Sequence, residues 1–304
     1  MAVDAVTAVV PTHRRPLLMK RAVQSIIDQT YGGDIEIIVV FDACDIELPD
    51  MVLPVNRRLR GMSNLRSRGL AGGRNTGILA ATHRFVAFLD DDDYWMPRKL
   101  DLQMAVFAHT PEVLMVGTAM IVDDGRRQHE RLVPVDPVTY RDLLHNRLAG
   151  LHSSSFLFRR DALLGGVGLV DEELPRSYGE DYDLLLRTAR LTPIVVVNKP
   201  LVCVAWQGQS FFFGRWAVYA EALQYLLVKH PQFRESPKAV GRIESQIAFA
   251  LAASGQRRES LNWSRRSLRH NSRQSKSYLA IAIAFRLISA DRVARLAQRF
   301  GRGI

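Results

Sequence analysis

A chain of 304 residues is long enough for one large domain and a smaller appendage, and 47% hydrophobic with 24% charged residues is the balance of an ordinary soluble globular protein. Its two cysteines, Cys44 and Cys203, form no CxxC or Cys/His cluster, which excludes a disulfide framework and a zinc module and favours a reducing compartment. The net charge of +10 sits at one end, because from Gly255 onward there are twelve Lys/Arg against two Asp/Glu and the remainder is balanced.

Taken in chain order, the opening MAVDAVTAVVPTHRRP has its basic residues after a short apolar run, the reverse of a signal peptide. Ala5 to Val10 predicts a buried strand stopped by Pro11, and the spacing of Leu18, Ala22 and Ile26, with Val23 and Ile27 beside them, predicts a helix. Ile35 to Phe41 is nearly all β-branched and predicts a second buried strand. A helix over Gly72 to Thr82 and a strand over Arg84 to Leu89 follow, and that strand runs straight into four aspartates. Pro97 suits the first turn of a helix reaching about Ala108.

Further strands are predicted at Val113 to Val122, His152 to Arg159, Ile194 to Val197 and Leu201 to Trp206, with a helix over Asp181 to Leu191. From about Trp216 helical patterns take over, divided by Pro231, Pro237, Gly255 and Asn271 into about four helices. Strands alternating with helices predict an α/β domain with a mostly parallel central sheet, residues 1–214, followed by a basic α-helical extension, residues 215–304. The apolar stretch Tyr278 to Ala290 contains Arg286 and is too short for a membrane span, which needs about 20 residues. A cytoplasmic protein is therefore expected.

The segment FLDDDDYWMP carries the most chemistry. Carboxylates at the carboxyl end of a buried strand lie where open α/β sheets bind ligands. Like charges packed this closely repel, so a cation is their natural partner, and hard oxygen ligands favour Mg²⁺ or Mn²⁺ shared with substrate phosphates. A solvated acidic turn is the alternative, disfavoured by the apolar strand before the run and by Tyr94 and Trp95 after it. An aspartate-dependent phosphohydrolase would carry DxDx[TV], but Tyr94 stands where Thr or Val belongs. Gly72 and Gly77 have the spacing of a phosphate-binding loop, yet Ile78-Leu79 follows where Lys-Ser/Thr is needed, and no GxGxxG is present.

In order along the chain, TAVVPTHRRP, IEIIVVFDACD, AGGRNTGILAATHRFVAFLDDDDYWMP and HSSSFLFRRDALLGGVGLVDEELPRSYGEDYDLLLR resemble the conserved blocks of the inverting family 2 glycosyltransferases, which have the GT-A fold. The likeness spans roughly Thr7 to Ser210. It implies a nucleotide-sugar-dependent transfer to a hydroxyl acceptor, glycan or lipid-linked, with a divalent cation (Mn²⁺ or Mg²⁺) at the diphosphate.

The resemblance also implies roles. Thr12, His13 and Arg14 would lie in the nucleotide loop, with His13 stacking on the base, and Asp42 would accept hydrogen bonds from base or ribose. Arg74 and Asn75 would contact the nucleotide or its phosphates. Asp90 and Asp92 match the two acids of the DxD motif, Asp92 as the most direct metal ligand; Asp91 takes the variable position and Asp93 a third acid of the metal shell. Four identical letters align in more than one register. Glu180-Asp181 matches the family's acidic pair, with Asp181 as catalytic base and Glu180 in support; acids at a helix start also favour the dipole, which is the bland alternative.

Two departures stand out. Phe41 replaces an acid of the nucleotide loop, and where relatives carry His or Arg after the acidic-pair helix this chain has CVAWQGQSFFFGRW, leaving Gln207 or water as third ligand. Trp206, Phe211, Phe212, Phe213 and Trp216 are read either as a mobile lid flanked by Gly208 and Gly214 or as core. A catalytically degenerate nucleotide-sugar-binding protein is the alternative function. In the tail, SADRVARLAQRF alternates basic and apolar residues as helices on anionic lipid do, so attachment to the inner face of the plasma membrane is expected and nucleic-acid binding is not.

Overall fold

The computed structural model describes residues 4–206 and 215–293. Its elements are β1 (Val6–Thr12), α1 (Pro16–Ile27), β2 (Ile35–Phe41), β3 (Arg57–Ser63), α2 (Leu70–Ala80), β4 (Phe85–Phe88), β5 (Tyr94–Trp95) and α3 (Lys99–His109). Then come β6 (Met115–Asp123), β7 (Gln128–Arg131), α4 (Tyr140–His145), β8 (Leu157–Arg159), α5 (Arg160–Leu164), α6 (Glu180–Leu191) and β9 (Val195–Ala205). The last four are α7 (Trp216–Lys229), α8 (Pro237–Ala253), α9 (Arg257–His270) and α10 (Ser275–Ala284).

The sheet has the order β3-β2-β1-β4-β8-β6-β9-β5, with β7 beside β6. Strands β3, β2, β1 and β4 run parallel, as do β6 and β9, while β8, β5 and β7 pair antiparallel to their neighbours. Every residue of β1 is buried, as expected of a strand covered on both faces. Alternation sends Val6, Ala8 and Val10 into one cluster with Met19, Ala22 and Ile26 of α1 and with Leu100, Met104 and Phe107 of α3. Val9 points the other way, onto α2.

Most predicted elements are present, with informative differences. Pro11 lies inside β1, tolerated because the ladder to β4 ends at Val9 and only β2 continues beside it. RRLRGMS forms β3, a sheet-edge strand whose polar composition hides it from a search for buried runs. Ile194 to Trp206 is not two strands but one, β9, irregular where Thr118, Ala119 and Met120 of β6 meet it. His152 to Arg159 is strand only from Leu157; Ser153–Ser155 form a 3₁₀ turn instead.

The chain divides into two compact units: among the described residues, one holds 4–143, 147–172 and 180–206, the other 144–146, 173–179 and 215–293. The second is built on α7 to α10. Ala248, Phe249, Ala252, Ala280 and Ile283 form its small core, and Trp216 packs edge-on against Phe249 with centroids 5.6 Å apart. Trp216 is thus partly buried against this core; Phe211 to Phe213 lie outside the described residues. Small side chains let α9 lie close on α8, where Ser260 donates to the Ala248 carbonyl at 2.9 Å and Ser267 to that of Gly241 at 2.7 Å. No described helix is long and apolar enough to cross a membrane.

Candidate active site

Parallel register brings Thr12 opposite Phe41 and Val9 opposite Phe88, so the loops after β1, β2 and β4 leave the same edge of the sheet. These loops carry His13, Asp42 and the aspartate run, an arrangement that follows from the parallel order alone.

The first two loops are organised locally. Thr12 Oγ1 donates to Asp91 Oδ2 at 2.8 Å, and Arg15 donates to Asp91 at 3.1 Å and Asp92 at 2.9 Å. The His13 ring is 2.6 Å from the Asp42 carbonyl oxygen, and Arg14 takes a left-handed backbone with φ +53°. The Asp42 carboxylate accepts from Asn64 Nδ2 at 2.7 Å and from the Gly69 N–H at 3.0 Å, which fixes the loop ahead of α2.

Arg74 and Asn75 are internal. Arg74 is 1% exposed; it donates to Asp90 at 2.5 Å, to Ser153 Oγ at 3.0 Å and to Glu180. Asn75 Nδ2 donates to the Val170 carbonyl and to Glu172, both at 2.7 Å, and its Oδ1 accepts the Val170 N–H at 2.8 Å. Contact of either side chain with a nucleotide would require these bonds to exchange.

The serine turn organises the acids. Ser153 Oγ donates to Asp90 Oδ2 at 3.2 Å. Ser154 Oγ accepts the Asp90 N–H at 3.1 Å and donates to Asp93 Oδ2 at 2.5 Å, while its carbonyl accepts from Trp95 Nε1 at 2.8 Å. Behind it, Gln103 donates to the Ser155 carbonyl and accepts from the fully buried Lys99, whose ammonium lies 4.1 Å over the Trp95 ring. The Ala205 N–H completes the Asp93 shell at 3.1 Å.

His152 joins this cluster. Its Nδ1 accepts the Ser154 N–H at 3.3 Å and lies 3.4 Å from Asp93 Oδ2, and ligand atoms of Asp90, Asp93 and His152 all fall within 4.8 Å of one another. Burial pushes the Asp93 carboxyl well above the usual range, reinforced by the charges of Asp90 and Asp92. Burial likewise raises Asp91 and Asp92. For Asp90 burial acts upward too, but the Arg74 guanidinium outweighs it and holds this carboxyl low. Burial lowers the His152 ring, against the pull of Asp90 and Asp181, which favours the neutral imidazole that ligates metals. A half-buried carboxylate, a buried carboxyl that burial and its acidic neighbours hold toward the protonated form, and a neutral imidazole offer ligands that a divalent cation would stabilise in their charged form. Asp92, bridged by Arg15, stands outside this trio.

On the other side of Arg74, α6 begins with the acidic pair. Glu180 is 5% exposed and tied to Arg74, and burial pushes its carboxyl up to about 7 in spite of that partner. Asp181 is only partly buried; Arg147 pairs with its Oδ2, and Oδ1 accepts the Tyr182 N–H at 2.6 Å. The structure therefore joins Asp90, Asp93 and Glu180 to one network, holds Asp91, Asp92 and Thr12 in a second shared with Arg15, and ties Asp181 separately to Arg147. His152, Ser153, Ser154, Arg15 and Arg147 carry no site signal of their own in the sequence. A histidine ahead of three serines, in a stretch with the pattern of a strand, is the only hint of the turn. Gln207, offered as a third ligand, lies outside the described residues.

A nine-stranded α/β sheet with an acidic run at the end of its fourth strand and an acidic pair opening a later helix defines a GT-A-type glycosyltransferase. The chain belongs to glycosyl transferase family 2, whose profile matches residues 7–165. Among curated proteins it is 27% identical over 198 residues to the UDP-Glc:alpha-D-GlcNAc-diphosphoundecaprenol beta-1,3-glucosyltransferase WfgD of Escherichia coli, covering 65% of this chain and 75% of that one. Among solved structures it resembles S. aureus TarS 1-349, with TM-score 0.61, 15% identity and coverage of 98% and 92%. It also resembles the mannosyltransferase PcManGT from Pyrobaculum calidifontis in complex with GDP-Man and Mn²⁺, with TM-score 0.54, 16% identity and coverage of 95% and 82%. At these identities the two structures establish the fold.

Proposed function

We propose that this chain transfers a sugar from a nucleotide-diphosphate donor to a hydroxyl acceptor, with inversion at the anomeric carbon. The observation that carries the reading is the buried Asp90–Arg74–Glu180 bridge, which ties the acidic run to the acidic pair that opens α6. Residues 1–214 would form the catalytic part and 215–304 the basic helical extension.

Asp90, Asp93 and His152 would hold a divalent cation, Mn²⁺ or Mg²⁺, with Asp92 as an outer carboxylate able to release Arg15. The ion's contribution is to neutralise charge on the departing diphosphate. Thr12, His13, Arg14 and Asp42 would receive the nucleoside. Each acid of the pair has an arginine partner, but Glu180 is enclosed with Arg74 while Asp181, held by Arg147, is the more exposed and would face an acceptor. Asp181 takes the proton from the acceptor hydroxyl as that oxygen bonds to the anomeric carbon, and the bond from that carbon to the diphosphate oxygen breaks. Arg147, paired with Asp181, orients it for this task. A relative acting on a diphosphoundecaprenol-linked sugar makes a lipid-linked cell-envelope acceptor the first to try. The basic helical extension would face the anionic membrane surface where such an acceptor resides.

The test is a panel of nucleotide sugars with Mn²⁺, following donor binding by calorimetry and product configuration by NMR. Asp181→Asn is expected to keep donor affinity and lose about 10²- to 10⁴-fold in turnover. Full turnover in that variant would remove Asp181 as base, and donor binding without turnover in the wild type would favour a degenerate binding protein.

A further inference from the structure

The charge excess of the chain lies in the helical unit, and part of it meets an apolar groove there. Helices α9 and α10 run side by side, and a groove of about 460 Å³ between them is lined by Leu261, Arg265, Leu268, Arg269 and Ile281. Leu261, Arg265 and Leu268 recur at the four- and three-residue spacing of one helix face, as do Tyr278 and Ile281 on α10 with Phe285 just past its end. The two stripes meet again further along, where the Arg257 guanidinium lies 4.7 Å from the Phe285 ring centroid. Phe285 is 52% and Tyr278 54% exposed, and Leu287, just past α10, is 76% exposed.

Another face of α9 is already used, since Ser260, Ser264 and Ser267 are buried, and Arg266 reaches Glu244 at 2.9 Å. Arg265 and Arg269 are exposed and border an apolar floor. Nucleic acid would call for stacking aromatics along a basic track, whereas the groove's own lining is aliphatic between two guanidiniums, with Tyr278 and Phe285 outside it. That chemistry matches an amphiphile with an anionic head and an alkyl chain: guanidiniums fork onto phosphate oxygens and leucine and isoleucine shield methylenes.

We propose that the α9–α10 groove binds an anionic phospholipid, its headgroup phosphate between Arg265 and Arg269 and the first acyl carbons over Leu261, Leu268 and Ile281. The groove would fix the helical unit at the bilayer surface with Arg265 and Arg269 against the headgroups. This deepens, and rests on, the membrane-surface reading above; it does not depend on the transfer chemistry.

The experiment uses the full chain in flotation with vesicles of phosphatidylcholine alone and of phosphatidylcholine with phosphatidylglycerol, comparing wild type, Arg265→Glu/Arg269→Glu and Arg126→Glu/Arg127→Glu. The last pair makes the same charge change on an exposed turn of the other unit. Wild type and the 126/127 variant are expected to float with the anionic vesicles only, and the 265/269 variant to lose at least tenfold in partition. If the wild type does not float, the membrane-surface reading itself fails; if all three float alike, the groove proposal fails while that reading stands. A calorimetric titration with dihexanoyl-phosphatidylglycerol below its micelle concentration, beside glycerol phosphate and dihexanoyl-phosphatidylcholine, reads the groove directly. Tighter binding of the anionic lipid than of either control, lost in the 265/269 variant, supports the proposal. Equal binding of glycerol phosphate, or binding of RNA in place of the lipid, overturns it.

Discussion

Arg74 and Glu180, 106 positions apart in sequence, form a buried ion pair that fastens α2 to the first residue of α6. The same guanidinium holds Asp90, so one side chain sets the distance between the acidic run and the acidic pair. Such a bridge is strong only while every partner is present, because removing one leaves a desolvated charge with nothing opposite it.

Arg74→Met and Glu180→Met should therefore each destabilise the protein at pH 8, by about 3–5 kcal/mol for removal of one partner from a buried pair. The double variant should lose clearly less than the sum, since it leaves Asp90 and no second orphan. Urea denaturation of the four proteins gives the coupling energy, and strict additivity would mean the two groups do not interact through a common bond.

The same pair makes stability depend on pH. Burial raises Glu180 to about 7 in the folded chain, whereas the unfolded chain releases this proton near the usual 4.5. Between those values the folded state binds more protons than the unfolded one, so stability falls as pH rises through the window. The contribution is present in full below pH 4.5 and lost by about pH 7. In metal-free buffer the wild type should thus lose melting temperature relative to Glu180→Gln between pH 5 and 8. Parallel curves would show that Glu180 is ionised throughout and that Arg74 offsets its burial completely.

How much of the fold and the site is legible in the sequence follows from how burial is written into it. Strands β1, β2 and β4 are mostly apolar and announce themselves, and the end of β4 locates the aspartates from the hydrophobic pattern, while Thr12, His13 and Asp42 are picked out at the ends of β1 and β2 by the family likeness. The polar β3 lies at an edge where half its surface needs no burial, so composition carries no signal for it. His152 and the serines are harder still, because their role depends on a turn that brings them beside residues about 60 positions away. The family likeness places Arg74 on the donor; its burial at 1% exposure, which no local pattern reports, makes it an internal brace.

Ser154 offers a sharper probe of the proposed cation site than the acids themselves. Its hydroxyl joins the Asp90 N–H to Asp93 Oδ2, its two hydrogen bonds among the described residues. Ser154→Ala should weaken Mn²⁺ binding by about 10- to 100-fold, the usual effect of losing a residue that orients a metal ligand. Binding of the nucleotide without metal should stay within about twofold of wild type, as the nucleoside loops are untouched. Electron paramagnetic resonance of free Mn²⁺ separates these outcomes, and unchanged Mn²⁺ affinity would dissociate Ser154 from the site.

The last expectation concerns how closely α2 is laid on the sheet. A Cβ at Gly77 would stand 2.2 Å from Val9 Cγ1 and 2.8 Å from Cγ2, closer than van der Waals contact allows. Val9 is fully buried in β1 with β2 and β4 hydrogen-bonded on either side, so the strand cannot yield and the helix must lift. Lifting α2 carries Arg74 and Asn75 with it and loosens the bridge to Asp90 and Glu180. Gly77→Ala should therefore destabilise by roughly 1–3 kcal/mol, as overpacked cores do, in spite of alanine's better helix propensity. It should also weaken Mn²⁺ binding, although Gly77 touches none of the acids. Val9→Ala removes both clashing methyls, so Val9→Ala/Gly77→Ala should recover Mn²⁺ affinity and be more stable than Gly77→Ala alone. If the double variant regains stability but not Mn²⁺ binding, the spacing of α2 from β1 is not what positions Arg74, and the brace must be set from the α6 side.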